Sequence, residues 1–359
     1  MRGLFVSDCE GPISKNDNAY EVAAKFVPNG EQLFCNISRY DDVLADVFNK
    51  QGYTAGGTLK LILPFLKAYN VTDKQIKDFS SDTVILIKDT QTTLKYIKSI
   101  AKCYIVSTSY EHYIKALCKA IDFSYQNTYC TKVSLDNIDL STQERASLCE
   151  IAQEISQMPP ITIPPNAENF ADFSPEDQTL IKRFDEIFWK QIWQMSAGKF
   201  LSNIVAVGGE QKAESIRDII KYLKEPLKSG VMFVGDSITD VEALKLVKET
   251  GGLAVSFNGN SYAVKNADIA VVSESNLVTA VIADVFYRLG REETLRVLKS
   301  WSKPALETAG VDLELLRQMF SLKELPKVQI VTCKNMNLIV TESSEFRKRV
   351  RGVAIGRLG

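Results

Sequence analysis

A chain of 359 residues, 45% of them apolar, with a formal net charge of −1, has the composition of a globular protein rather than a disordered or fibrous one. Its charge balance offers no general attraction to nucleic acid or to an anionic membrane. Its single histidine, His112, excludes most zinc hydrolases and histidine-based nucleophilic triads, so carboxylates, hydroxyls and lysine must carry any chemistry.

The seven cysteines, at positions 9, 35, 103, 118, 130, 149 and 333, are scattered and form no CxxC pair. That pattern suits free thiols in a reducing compartment, not a disulfide framework or a zinc site. No stretch reads as a membrane span, and the apolar run at 3–7 is too short for a signal peptide. A cytoplasmic protein with no membrane or nucleic-acid partner is the expectation.

Residues 3–7 predict a short buried strand that ends at Asp8-Cys9-Glu10-Gly11-Pro12, where Gly and Pro turn the chain. Residues 15–80 read as mostly helical, with helices at 19–26, 41–51 and 59–69. A helix at 90–101 leads into a strand at 103–106 that stops at Ser107-Thr108-Ser109, and a helix at 111–121 follows. His112 on that helix reads as a surface or packing residue.

The stretch 131–197 breaks the rhythm with a proline cluster and a patterned helix at 175–195. The apolar stripe of that helix, with Phe184, Phe188 and Ile192 on it, demands burial. Then come a helix at 210–223, a strand at 231–234, the turn Asp236-Ser237-Ile238-Thr239-Asp240, and strands at 253–257 and 269–272. Repeated strand-then-helix units predict an α/β fold, a doubly wound parallel sheet. Beyond 290 the tail reads as helical. A strand pair at 328–332 and 338–341 follows, and then a basic run of Arg347, Lys348, Arg349 and Arg351, expected on the solvated surface.

The carboxyl ends of parallel strands share one edge, where ligands bind. That edge would gather Asp8 and Glu10 from the first strand, Ser107 and Thr108 from the second, and Asp236 and Asp240 from a later one. Lys212 opens the helix before that later strand. Clustered carboxylates demand a cation, and an oxygen-only donor set suits Mg²⁺. Asp8 is placed to attack phosphorus, Glu10 to move protons, and Ser107, Thr108 and Lys212 to hold phosphate oxygens.

The run Phe5-Val6-Ser7-Asp8-Cys9-Glu10-Gly11 resembles the first motif of the haloacid dehalogenase superfamily. Ile105-Val106-Ser107 resembles the second motif, Lys212 with its neighbours the third, and Gly235-Asp236-Ser237-Ile238-Thr239-Asp240 the fourth. Glu10 stands where most phosphatases of that superfamily carry Asp. Asp-x-Glu-Gly is similar to enolase-phosphatases and to phosphoserine-phosphatase-like enzymes, and Ser107-Thr108-Ser109-Tyr110-Glu111 also resembles the phosphoserine-phosphatase-like branch. A looser resemblance is to archaeal members assigned to subunit R of an energy-converting hydrogenase. The resemblance implies a Rossmann-like core and a Mg²⁺-dependent phosphohydrolase working through a phosphoaspartate on Asp8. It implies Asp8, Glu10 (through its backbone carbonyl), Asp236 and Asp240 around the metal, and a small phosphorylated metabolite as substrate.

On this reading residues 1–14, 81–130 and 198–290 form the core, and 15–80 a helical cap. Residues 131–197 form a second insertion, serving as a lid or as a contact to another copy or a protein partner, and 291–359 a C-terminal extension. Within the cap, Arg39 and Glu21 are candidate substrate contacts, since a guanidinium fork suits a second anionic group. The alternative function is an interaction subunit that keeps the fold and makes little use of the chemistry.

Overall fold

Short runs of β-branched and aromatic residues pair into one sheet: β1 (Leu4–Ser7), β2 (Lys102–Tyr110), β3 (Thr128–Thr131), β4 (Val231–Gly235), β5 (Leu253–Phe257), β6 (Ile269–Val272) and β7 (Lys327–Ile330). The computed structural model describes residues 3–50, 52–223 and 230–358. Among these the strand order is β3-β2-β1-β4-β5-β6-β7. β1 through β6 pair in parallel, and β7 closes one edge antiparallel to β6. The order therefore reverses between β1 and β4, the place where a doubly wound sheet opens a crevice.

Both faces of the sheet are covered, so alternate strand residues feed two separate cores. Phe5, Ile105, Met232 and Val255 pack on one face. Leu4, Val6, Val106, Phe233 and Ala254 pack on the other. This two-sided burial is why the strands read as continuous apolar runs.

A third core lies apart from the sheet. It joins residues of the expected cap, such as Val22, Leu33, Ile37, Tyr40, Leu61 and Phe65, to residues of the second insertion, such as Leu148, Ile151, Ile181, Phe184 and Phe188. The insertion includes a helix at Thr142–Gln157, started by a capping box between Ser141 and Glu144. The expected single helix at 175–195 is an α-helix over Pro175–Glu186 that widens into a π-helical turn at Ile187–Gln191 and tightens into a 3₁₀ turn at Ile192–Gln194. Its stripe is consumed by the cap. Tyr40 stacks on Phe184 at 4.9 Å and on Phe188 at 5.9 Å between ring centroids. Trp189 Nε1 donates to the Tyr40 hydroxyl at 2.8 Å.

Two expectations are corrected. The cap helix foreseen at 41–51 begins earlier, at Gly30, and runs through Asp42 into a π-helical turn over Val43–Val47. Of the expected tail strand pair only β7 forms. Residues 338–341 lie within a helix at Met336–Arg351, because β7 finds its partner in β6 and leaves the following segment free to coil. This tail helix packs on β6 and on the helix Ser261–Asn266. None of the helices described is long and apolar enough to cross a membrane.

Candidate active site

Strand register sets the convergence. Ser7 stands opposite Ile105 of β2 on one side and Val234 of β4 on the other. Asp8, Ser107 and Asp236 follow within two residues of that row and meet at one edge. Asp8 is fixed from below by its own N–H on Val234 O at 2.8 Å, and its Oδ1 accepts from Cys9 N–H at 2.7 Å. Cys9 turns its thiol into the sheet core. All seven cysteines are free thiols.

Lys212, on the first turn of the helix Glu210–Leu223, is fully buried. Its Nζ lies 3.0 Å from Asp8 Oδ2 and donates to Asp240 Oδ1 at 2.7 Å and to Thr239 Oγ1 at 3.2 Å. Burial works against this ammonium, but the Asp240 and Asp8 carboxylates outweigh it and hold its pKa above the ordinary value. Asp240 Oδ2 accepts from the N–H groups of Asp236 and Ser237 at 2.9 and 3.0 Å, tying the loop after β4 into a tight cup.

Asp8, Asp236 and Asp240 each offer an oxygen within 4.8 Å of the others, all three buried. Desolvation pushes Asp8 up to about 7, Lys212 opposes this, and Asp240 and Asp236 add to it. Three crowded carboxylates, with no His or Cys among the clustered donors, are the donor set that a hard divalent cation takes. Gly11 belongs to the same cradle. It holds φ at +114°, and a Cβ there would stand 2.1 Å from Asp236 Oδ2, so only glycine lets the first loop close on that carboxylate.

The Glu10 side chain lies outside this carboxylate cluster. Its Oε1 accepts from Asn18 N–H at 2.6 Å. Burial, reinforced by Asp17, raises its carboxyl well above the usual range against the pull of Asn18, Arg351 and Ser109. The Ser107 hydroxyl donates to Ser109 Oγ at 3.1 Å, so the second motif and Glu10 form one polar chain. Thr108 lines the cavity beside Asp8, and among the described residues its buried Oγ1 has no hydrogen-bond partner, an unmet polar group that an oxyanion could satisfy.

The structure does not bring the two cap candidates to this cavity. Arg39 is exposed and leans on Asp42 at 3.4 Å. Glu21 is held by the Asn16 amide at 2.9 Å, outside the lining. The cap wall is made instead by Asp17, Phe34, Ser38, Asp41, Asp42, Gly56, Thr58 and Leu59. Asp41 is itself satisfied by the N–H groups of Gly56, Gly57 and Thr58 and by the Thr58 hydroxyl.

The larger correction concerns the basic tail run. Arg349 is exposed and Lys348 half-buried, but Arg347 and Arg351 are 3% and 9% exposed and line the cavity. Arg347 Nη1 pairs with Asp236 Oδ2 and reaches Asp236 O at 3.3 Å. Arg351 Nη1 donates to the same Oδ2 at 3.1 Å, its Nε to Lys15 O at 3.0 Å and its Nη2 to Asn16 O. Desolvation pulls the Arg347 guanidinium below its ordinary value despite Asp236, whereas Asp236, Asp17 and Glu10 together hold Arg351 above its own. The one signal in the sequence was the four-residue spacing of Ser343, Arg347 and Arg351, which places them on one helical face. Leu358 closes the lining. The cavity volume is about 90 Å³, small beside the roughly 300–1,000 Å³ of pockets that take a drug-sized ligand.

Comparison with known proteins agrees with this architecture. A family model for haloacid dehalogenase-like hydrolases matches residues 68–284. Among solved structures, a gene product of Archaeoglobus fulgidus is similar over 99% of both chains, at 26% identity and a TM-score of 0.81. The apo form of a phosphoserine phosphatase is similar over 76% of this chain and 94% of its own, at 12% identity and a TM-score of 0.46. No curated protein sequence matches the chain.

Proposed function

The chain belongs to the haloacid dehalogenase-like hydrolases, and from that premise we propose that it is a Mg²⁺-dependent phosphohydrolase cleaving a small phosphate monoester through Asp8. The observation that carries this reading is the buried network in which Lys212 bridges Asp8 and Asp240 beside Asp236.

Asp8, Asp236 and Asp240 would hold the metal, which when bound neutralises charge developing on the phosphoryl group. Asp8 attacks phosphorus as the bond to the ester oxygen breaks, and Glu10 gives its proton to the leaving alcohol. Glu10 then takes a proton from water, which attacks the acyl phosphate and frees phosphate and Asp8. Lys212 and the Thr108 hydroxyl hold the phosphoryl oxygens throughout. The Asn18 N–H and Ser109 keep Glu10 in position.

Replacing Asp8 with Asn is expected to remove turnover of a phosphate-ester panel almost entirely, because an amide is a poor nucleophile. Near-wild-type activity in that variant, or activity undiminished by excess chelator, would sink the mechanism. A second reading, an interaction subunit with a silent site, draws on one observation, the two guanidinium groups already neutralising Asp236. The readings part on calorimetry, since a working site binds Mg²⁺ and a silenced one does not.

A further inference from the structure

The arginine pair of the tail helix has a chemical asymmetry. Arg351 spends its guanidinium on three protein acceptors, Asp236 Oδ2, Lys15 O and Asn16 O. Among the described residues Arg347 bonds only Asp236, through Nη1, and its buried Nε has no acceptor. A buried N–H without a partner is costly, and this one belongs to a side chain that is 3% exposed and lines the cavity. One more oxyanion would satisfy that N–H.

The scissile phosphoryl group already has its donors in Lys212 and Thr108, grouped around Asp8. Arg347 reaches Asp236 instead and is oriented by it, with Ser343 one turn earlier anchoring the helix through its hydroxyl on Gly259 O at 2.7 Å. From this geometry we infer that Arg347 is the seat for a second oxyanion on the substrate, a carboxylate or a second phosphate, received on the Nε side of its guanidinium. The inference rests on the phosphohydrolase reading and narrows it to monoesters that carry another anionic group. The tail helix is then part of the substrate site and a determinant of its specificity. A planar fork receives either oxyanion bidentately, which an ammonium does not.

The test compares the full-length wild type with Arg347→Gln and Arg347→Lys. Three kinds of ester are used: carboxylate-bearing phosphates, bisphosphates, and an aryl phosphate with no second anion. KM and kcat are measured for each ester. Calorimetry follows binding of the matching non-hydrolysable phosphonates.

The expected result is a KM and Kd rise of about 10- to 100-fold for one of the two doubly anionic classes, with kcat changed much less and the aryl compound affected several-fold less. Whichever class responds identifies the oxyanion. Arg347→Lys should keep the fold and still lose most of the discrimination. Equal losses on all three compounds, no loss on any, or full discrimination retained by Lys would overturn the inference. If Arg347→Gln does not fold, Arg347→Lys carries the comparison. Phosphonate binding without turnover of any ester would end the hydrolase reading while leaving the oxyanion seat standing.

Discussion

Asp42, buried in the cap wall, shows how a single residue couples this site to pH. Burial, with Asp41 adding to it and Arg39 opposing, lifts its carboxyl from an ordinary 3.8 to about 8. Glu21 is lifted to about 7, again chiefly by burial. A carboxyl whose folded value exceeds its unfolded one gives its full stabilisation below the unfolded value and loses it as pH climbs through the folded one. The protein should therefore melt at lower temperature as pH rises from about 5 to 9, and Asp42→Asn should flatten that fall. A melting series with the wild-type slope in the variant would remove Asp42 from the account. At this scale the sequence pointed to the residues that gather at one sheet edge but not to their neighbourhood. Asp8, Lys212, Asp236 and Asp240 stood out because each sits at a strand end or helix start. Arg39 looked like an anion fork only because it was the sole arginine in the cap stretch, and nothing local tells which way a helix turns its side chains.

The tail helix is the element that the sequence concealed. Its basic run resembles a solvated face, and its middle has the β-branched look of a strand. Burial of Arg347 and Arg351 depends on carboxylates more than a hundred residues away, as the Arg347–Asp236 pair shows at a separation of 111, and no local pattern carries that information. The two kinds of arginine on this helix should behave differently on replacement. Arg351→Met keeps the apolar stem but strips cationic partners from Asp236, Lys15 and Asn16, a loss of about 3–5 kcal/mol for a broken buried pair. Arg349, half exposed beside Glu324 and Glu274, should cost about 0–1 kcal/mol. Urea unfolding of Arg351→Met and Arg349→Met checks this, and equal midpoints would mean that the buried pair adds nothing.

Taken as a whole, the molecule has sheet cores and a cap core that share few residues. The sheet was legible because its strands are short, apolar and each followed by a helix. The union of residues 19–76 with 133–201 was not, because two separated segments fill one core only in three dimensions. Deleting residues 140–195 is therefore expected to leave the sheet folded and melt the rest of the cap. Hydrogen exchange should show protection kept over 231–285 and lost over 19–76, and a cap still protected after the deletion would refute the shared core. Long-range closure also imposes a calendar on synthesis. Arg351 bonds Asn16 across 335 residues, and at about 5–20 residues per second a ribosome takes roughly 15–70 s to travel between them. For that interval the nascent chain displays its earliest acidic loop with no arginine to meet it. A ribosome halted at residue 330 would have written Asp8, Lys212, Asp236 and Asp240 and would still hold a cavity with one wall missing.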